Sequence, residues 1–185
     1  IPVVYNTSSF DSLEALGLMR GKVDVYLADF KYASALEAGK LSHAPRYPEI
    51  ALAAIEEMVA QVPVWEEDDE GLLLKGVIVR HLVLPGRVEE SKRALATLHD
   101  RFGSGVRLSI MSQYTPLASG LERYGLAGRV TEEEYEEVLD YADSLGVEDY
   151  FWQQGDAAQE SFVPEFNGEG AVSYTHLRAH ETRGN

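Results

Sequence analysis

Short runs of Val, Ile, Leu and Ala alternate along this chain with segments of helical spacing, and that alternation limits the folds open to it. Residues 1–5 (IPVVY), 23–28 (VDVYLA), 76–84 (GVIVRHLVL) and 106–111 (VRLSIM) read as strands, with a last short one at 147–152. Between them, residues 11–19 (DSLEALGLM) have helical periodicity, with Ser8, Ser9 or Asp11 as candidate caps. Residues 48–62 (PEIALAAIEEMVAQV) form a second helix, opened by Pro48 in its first turn and ended by Pro63. A third helix covers 88–102, after Pro85-Gly86 stops the preceding strand. A fourth runs over 131–145, where Thr131 and Glu134 have capping-box spacing and the early glutamates suit the helix dipole. The acidic stretch WEEDDEG at 65–71 reads as a solvated loop. Strands that alternate with helices imply βαβ units and a parallel sheet. The near-continuous apolar character of the strands predicts cover on both faces. The pattern is that of one α/β domain, best fitted by an open or closed barrel.

Composition removes several function classes. The formal charge is −15, which argues against nucleic-acid binding through phosphate contacts. No apolar run approaches the roughly 20 residues that span a bilayer, so no membrane association is expected and the reading is cytoplasmic. The chain has no cysteine, hence no disulfide framework and no thiolate metal site of its own. Its first residues resemble neither a signal peptide nor a start, and the expectation is a chain that begins inside a longer protein. The last stretch differs in character from the rest. Read as codons, residues 171–182 match the translated end of a transposase-based sequencing adapter. We therefore take 1–170 as the domain and set 171–185 aside, together with the metal-like i, i+4 spacing of His176 and His180.

In α/β barrels the chemistry collects at the C-terminal ends of the strands, and here those ends are polar. The first strand ends in Asn6-Thr7, the second in Asp29-Phe30-Lys31 and the fourth in Gln113-Tyr114, while Arg80 sits within the apolar third. On period-two geometry Asp29 and Lys31 share a face and Phe30 takes the other. Such a pair reads either as a salt bridge or as a site for a cation and a polar ligand. Arg80 needs a partner, because an unpaired buried charge is costly; that partner is structural or functional. His81 faces the opposite way and reads as a satisfied core histidine. His43 and His99 have no companions at metal-ligand spacing, and Ile50, Ala54 and Met58 form a core stripe.

The blocks YNTSSF, VDVYLADFKY, APRYPEIALAAIEEM, VRHLVLPGRVEESK, SIMSQYTP and ESFVPEFNGEG, in that order, resemble the pyruvate formate-lyase activating enzyme-like branch of radical S-adenosylmethionine proteins. The resemblance extends over about residues 1–170 and is nearer to relatives of the activases than to the activases themselves. It implies the C-terminal portion of a partial (β/α)6 TIM-like barrel, the radical S-adenosylmethionine fold. It also implies an oxidoreductase that uses a [4Fe–4S] cluster, held by a CxxxCxxC loop, to cleave S-adenosylmethionine reductively to a 5′-deoxyadenosyl radical. The implied partners are S-adenosylmethionine, a glycyl-radical protein and an electron donor such as flavodoxin or ferredoxin. Carried over by motif, Asp29 and Lys31 are the family's D-x-K pair, near the cofactor and a cation site. Asn6-Thr7 is the turn before it, with Asn6 where activases have Asp. Arg80 to Gly86 is the R-x-x-x-P-G element, with Arg80 pointing into the barrel. Gln113 stands near the position of a histidine that approaches the cofactor ribose. The CxxxCxxC is absent, so this chain alone holds no cluster and is expected to be inactive by itself. Two other readings remain: a barrel enzyme that uses Lys31 as a Schiff-base nucleophile, and a non-catalytic remnant that binds a partner through its acidic surface.

Overall fold

The computed structural model describes residues 1–116, 119–147 and 150–152. The ESFVPEFNGEG block, the adapter-like segment and the His176/His180 pair lie outside the described residues. Five strands form a parallel sheet whose spatial order follows the chain: β1 (Val4–Thr7), β2 (Val25–Asp29), β4 (Leu73–Leu82), β5 (Arg107–Met111) and β6 (Tyr150–Trp152). A two-residue strand, β3 (Glu66–Glu67), pairs antiparallel with the start of β4. Helix α1 (Leu13–Met19) follows β1, while α2 (Ala35–Ser42) and α3 (Tyr47–Gln61) follow β2. Helix α4 (Val88–Phe102) links β4 to β5, and α5 (Glu132–Ser144) lies between β5 and β6. This is an α/β fold with a parallel sheet and interleaved helices.

The hydrophobic effect accounts for the layering. Tyr26, Ala28 and Phe30 from β2 and its end, Val77 and Val79 from β4, and Leu108 and Ile110 from β5 alternate along their strands onto one face. There they form a single core with Leu16 of α1, Ile55 and Met58 of α3, Leu95 and Leu98 of α4 and Val138 of α5. Each such side chain contributes about 1.5–3 kcal/mol on full burial. The other face is a correction to the expectation of cover on both sides. Leu27, Asp29, Arg80, Leu82, Ser109 and Met111 alternate onto it and are only partly buried. Val25 and Ile78 share this face and are buried, and Trp65, just before β3, lies over Gly76. A Cβ built on Gly76 would stand 2.6 Å from the Trp65 ring, far inside van der Waals contact. Gly76→Ala is therefore expected to destabilise by about 1–3 kcal/mol through overpacking, read as a lower thermal midpoint.

Local signals explain where the elements begin. β1 starts later than residue 1, as Pro2 has no N–H to offer a ladder. The cap of α1 is Ser12, whose hydroxyl accepts from the Ala15 N–H at 3.1 Å, rather than Ser8, Ser9 or Asp11. Helix α2 was not expected from periodicity; Ser34 caps it by accepting from Glu37 N at 3.2 Å. Helix α5 has the predicted capping box, with Thr131 and Glu134 satisfying each other's backbone N–H groups. The acidic stretch does stay exposed, yet its backbone pairs as β3.

Candidate functional site

Parallel pairing puts the C-terminal ends of β1, β2 and β4 side by side, and register decides what meets there. Asp29 lies directly opposite Arg80, and Asn6 lies opposite Leu27, which shares the Asp29 face. Arg80 donates from Nε to Asp29 Oδ1 at 2.9 Å, and its Nη2 lies 2.7 Å from the same oxygen. Nη2 also donates to Asn6 Oδ1 at 2.6 Å. On the other side, Lys31 Nζ stands 3.7 Å from Asp29 Oδ2. The side chains of Asp29 and Arg80 are 21% and 25% exposed and that of Lys31 is 45% exposed, so the group is shielded but open to a ligand. Two cations face one carboxylate. The site thus carries a local positive excess within a chain of charge −15, and it combines donors for a carboxylate with an acceptor for an ammonium group. Lys31 stands in an ion pair, not in the apolar pocket that a Schiff-base lysine requires.

The remaining two sequence candidates stand elsewhere. On strand alternation Thr7 falls on the helix-facing side, opposite Ala28. Its hydroxyl bonds the Asp11 carboxylate and accepts from Ser9 N at 3.0 Å. Gln113 lies past the end of β5, with Nε2 3.7 Å from Met111 Sδ. The structure therefore brings Asn6, Asp29, Lys31 and Arg80 together, turns Thr7 to Asp11 and sets Gln113 beside Met111. Among the described residues there is no group of three or more His, Asp or Glu side chains placed to hold a metal ion.

Behind the cluster sit His81 and two residues that sequence reasoning did not single out, Tyr47 and Glu90. Tyr47, in the first turn of α3, is 4% exposed. Its hydroxyl lies 2.8 Å from Asp29 O and 3.0 Å from Ser8 O, and it accepts from Lys31 N at 3.0 Å. Burial pushes its phenol well above the ordinary tyrosine range. Glu90, in the first turn of α4, accepts from Ala33 N at 2.8 Å and Ser34 N at 2.7 Å, and its second oxygen pairs with Arg93. Burial acts to raise Glu90, but the hydrogen bonds from Arg93, Ser34 and Ala33 outweigh it and hold the carboxyl below its ordinary value. His81 is buried, as its strand phase predicted, with Nδ1 2.8 Å from Phe30 O and Nε2 2.9 Å from Ser91 Oγ. A carbonyl only accepts, so Nδ1 carries the proton and Nε2 receives the Ser91 hydroxyl. Burial lowers the proton affinity of this imidazole. The sequence signals for these contacts were slight. Tyr47 reads as a helix start and Glu90 as a dipole-complementing first-turn acid, while their partners lie 16–39 and 56–57 residues away.

Among the described residues no helix is long and apolar enough to cross a membrane. No family model matches the chain. It is 28% identical over 148 residues to the uncharacterized protein MJ0674 of Methanocaldococcus jannaschii, an alignment that covers 80% of this chain. The chain spans 40% of the length of that relative.

Proposed function

We propose that this chain is part of a radical S-adenosylmethionine enzyme similar to pyruvate formate-lyase activating enzymes, and that Asn6, Asp29, Lys31 and Arg80 hold the amino-acid end of S-adenosylmethionine. The observation that carries the reading is the convergence of these four residues, from three separate strands, at one end of the sheet on its half-open face. Strands in chain order with helices on one side suit an arc of a partial (β/α)6 barrel, whose half-open face would line the interior. Chemistry in such barrels sits at this end of the strands.

The donor set fits the ligand. Lys31 and Arg80 offer charge-assisted donors to its carboxylate, and Asp29 Oδ2 offers an acceptor to its ammonium group. Asn6 holds the Arg80 guanidinium in place. S-adenosylmethionine supplies hydrogen abstraction by way of reductive cleavage of its C–S bond. The donor set does not fit the iron–sulfur cluster. With no cysteine in the chain, the thiolates would come from elsewhere in the whole protein, and no step is derived through the cluster. A glycyl-radical protein, a flavodoxin or ferredoxin donor and a cytoplasmic setting belong to this same proposal.

Calorimetric titration of the 185-residue chain with S-adenosylmethionine tests it. Lys31→Met is expected to weaken binding at least about tenfold, the effect of losing one charge-assisted hydrogen bond. Absence of binding at millimolar ligand would sink the site assignment. Reading the gene upstream of Ile1 tests the family assignment: an in-frame CxxxCxxC is expected, and a start codon adjoining Ile1 would defeat it.

A further inference from the structure

The segment from Asp29 to Ser34 leaves the sheet and runs to the cap of α2. Connections of this kind ordinarily satisfy their backbone with water and move. Here six of the backbone polar groups are held by protein. Asp29 O and Lys31 N bond the Tyr47 hydroxyl from α3, and Phe30 O bonds His81 Nδ1 from β4. Phe30 N donates to Arg80 O at 2.9 Å. Ala33 N and Ser34 N both donate to one oxygen of Glu90 from α4. The three side chains that do this come from three different elements and are 2–5% exposed. Phe30 is itself fully buried, and its ring stacks at 6.5 Å on Tyr47.

We propose that Tyr47, His81 and Glu90 are positioning residues, which hold 29–34 as a strap set before any ligand arrives and thereby aim Lys31 across the cluster. The inference deepens the functional reading above and rests on it for the identity of the ligand. The strap presents Asp29 and Lys31 to the half-open face, while the peptide groups between and beyond them are tied down behind the sheet. Preorganisation of this kind cuts the ordering cost of binding. The Ser91–His81 pair has the look of a nucleophile and base, but both residues are 1–2% exposed. The adjoining cavity, lined by Lys31, Glu37, Arg87 and Glu90 among others, is about 10 Å³, room for no more than a single water. That leaves the pair a role in holding Phe30.

Two measurements on the full chain test the inference. In amide exchange, Lys31, Ala33 and Ser34 are expected to be protected in the free protein. Tyr47→Phe keeps the ring stacking and is expected to speed exchange at Lys31 by about tenfold or more, with Leu108 and Ile110 in β5 unchanged. Glu90→Gln is a second variant, expected to speed exchange at Ala33 and Ser34. Fast exchange at these amides in the unmodified protein overturns the inference. The second measurement is a double-mutant cycle on S-adenosylmethionine affinity. Tyr47→Phe is expected to weaken binding about tenfold in the unmodified chain but less than about twofold beside Lys31→Met, because the lost positioning acts through Lys31. Additive effects would overturn it, as a merely structural role lowers both backgrounds equally. If the unmodified chain does not bind S-adenosylmethionine, the functional reading fails. The exchange result then decides alone whether the strap is pre-set.

Discussion

Arg80→Met is expected to destabilise the protein by about 2–3 kcal/mol and to abolish ligand binding at the strand ends. Removal of one partner from a fully buried ion pair costs about 3–5 kcal/mol, since the surviving charge is left desolvated. Asp29 retains 21% side-chain exposure and a second cation, Lys31, at 3.7 Å, so water and Lys31 recover part of that cost. The stability loss is read as a lower urea midpoint with an unchanged slope. The double variant Asp29→Leu/Arg80→Met is expected to be more stable than Arg80→Met alone, because no orphaned carboxylate remains. A single variant within about 0.5 kcal/mol of the unmodified protein would mean that the pair behaves as an exposed surface bridge. The binding loss has a separate origin. Arg80 contributes a donor itself and fixes both Asp29 and Asn6, so its removal deletes one of the four residues and releases the side chains of two more.

The second large effect belongs to His81. His81→Leu keeps the side-chain bulk and deletes both ring nitrogens. It leaves the Phe30 carbonyl and the Ser91 hydroxyl buried without their partner. Each orphaned polar group costs about 1–3 kcal/mol, so the variant is expected to lose about 2–6 kcal/mol at neutral pH. Acid has a related effect on the unmodified protein. Burial lowers the His81 proton affinity in the folded state, so the unfolded chain takes up a proton first. The contribution of neutral His81 is complete above the unfolded value, about 6.5. It is lost progressively as pH falls below that value toward the folded one. The high negative charge of the chain acts in the opposite sense, because protonation of carboxylates relieves repulsion. Comparison of urea midpoints for the two proteins at pH 7 and pH 5 isolates the histidine: the gap between them should narrow at the lower pH. A gap that stays constant would mean that His81 does not titrate in this window.

The parts of this molecule that were readable in one dimension are those set by local pattern. Period-two alternation put Asp29 and Lys31 on one face and turned His81 away from Arg80, and the structure has that arrangement. Capping chemistry located the start of α5 at Thr131, and Pro85-Gly86 ended β4 close to its observed limit. What could not be read was set by contacts across the sheet. Nothing in the apolar run GVIV reveals that Trp65 covers one side of Gly76, so uniform hydrophobicity suggested helices on both faces. Helix α2 is short and rests on the Ser34 cap, not on a strong apolar stripe. Thr7 and Gln113 are polar residues at strand ends like the others. Only three-dimensional neighbours show that Thr7 serves Asp11 and that Gln113 meets Met111. Tyr47 and Glu90 act on backbone groups, which carry no sequence signature at all.

The strand order has a kinetic meaning. Because β1, β2, β4, β5 and β6 are neighbours in the same succession as in the chain, each of the parallel strands after β1 docks on an edge that has already been synthesised. A ribosome releasing about 5–20 residues per second would present each βα unit with a waiting template. Among the described residues, no parallel strand has to be inserted between two earlier ones. Loop-closure penalties are then paid one crossover at a time, and assembly of these five strands becomes vectorial, a zipper that closes in the order of synthesis.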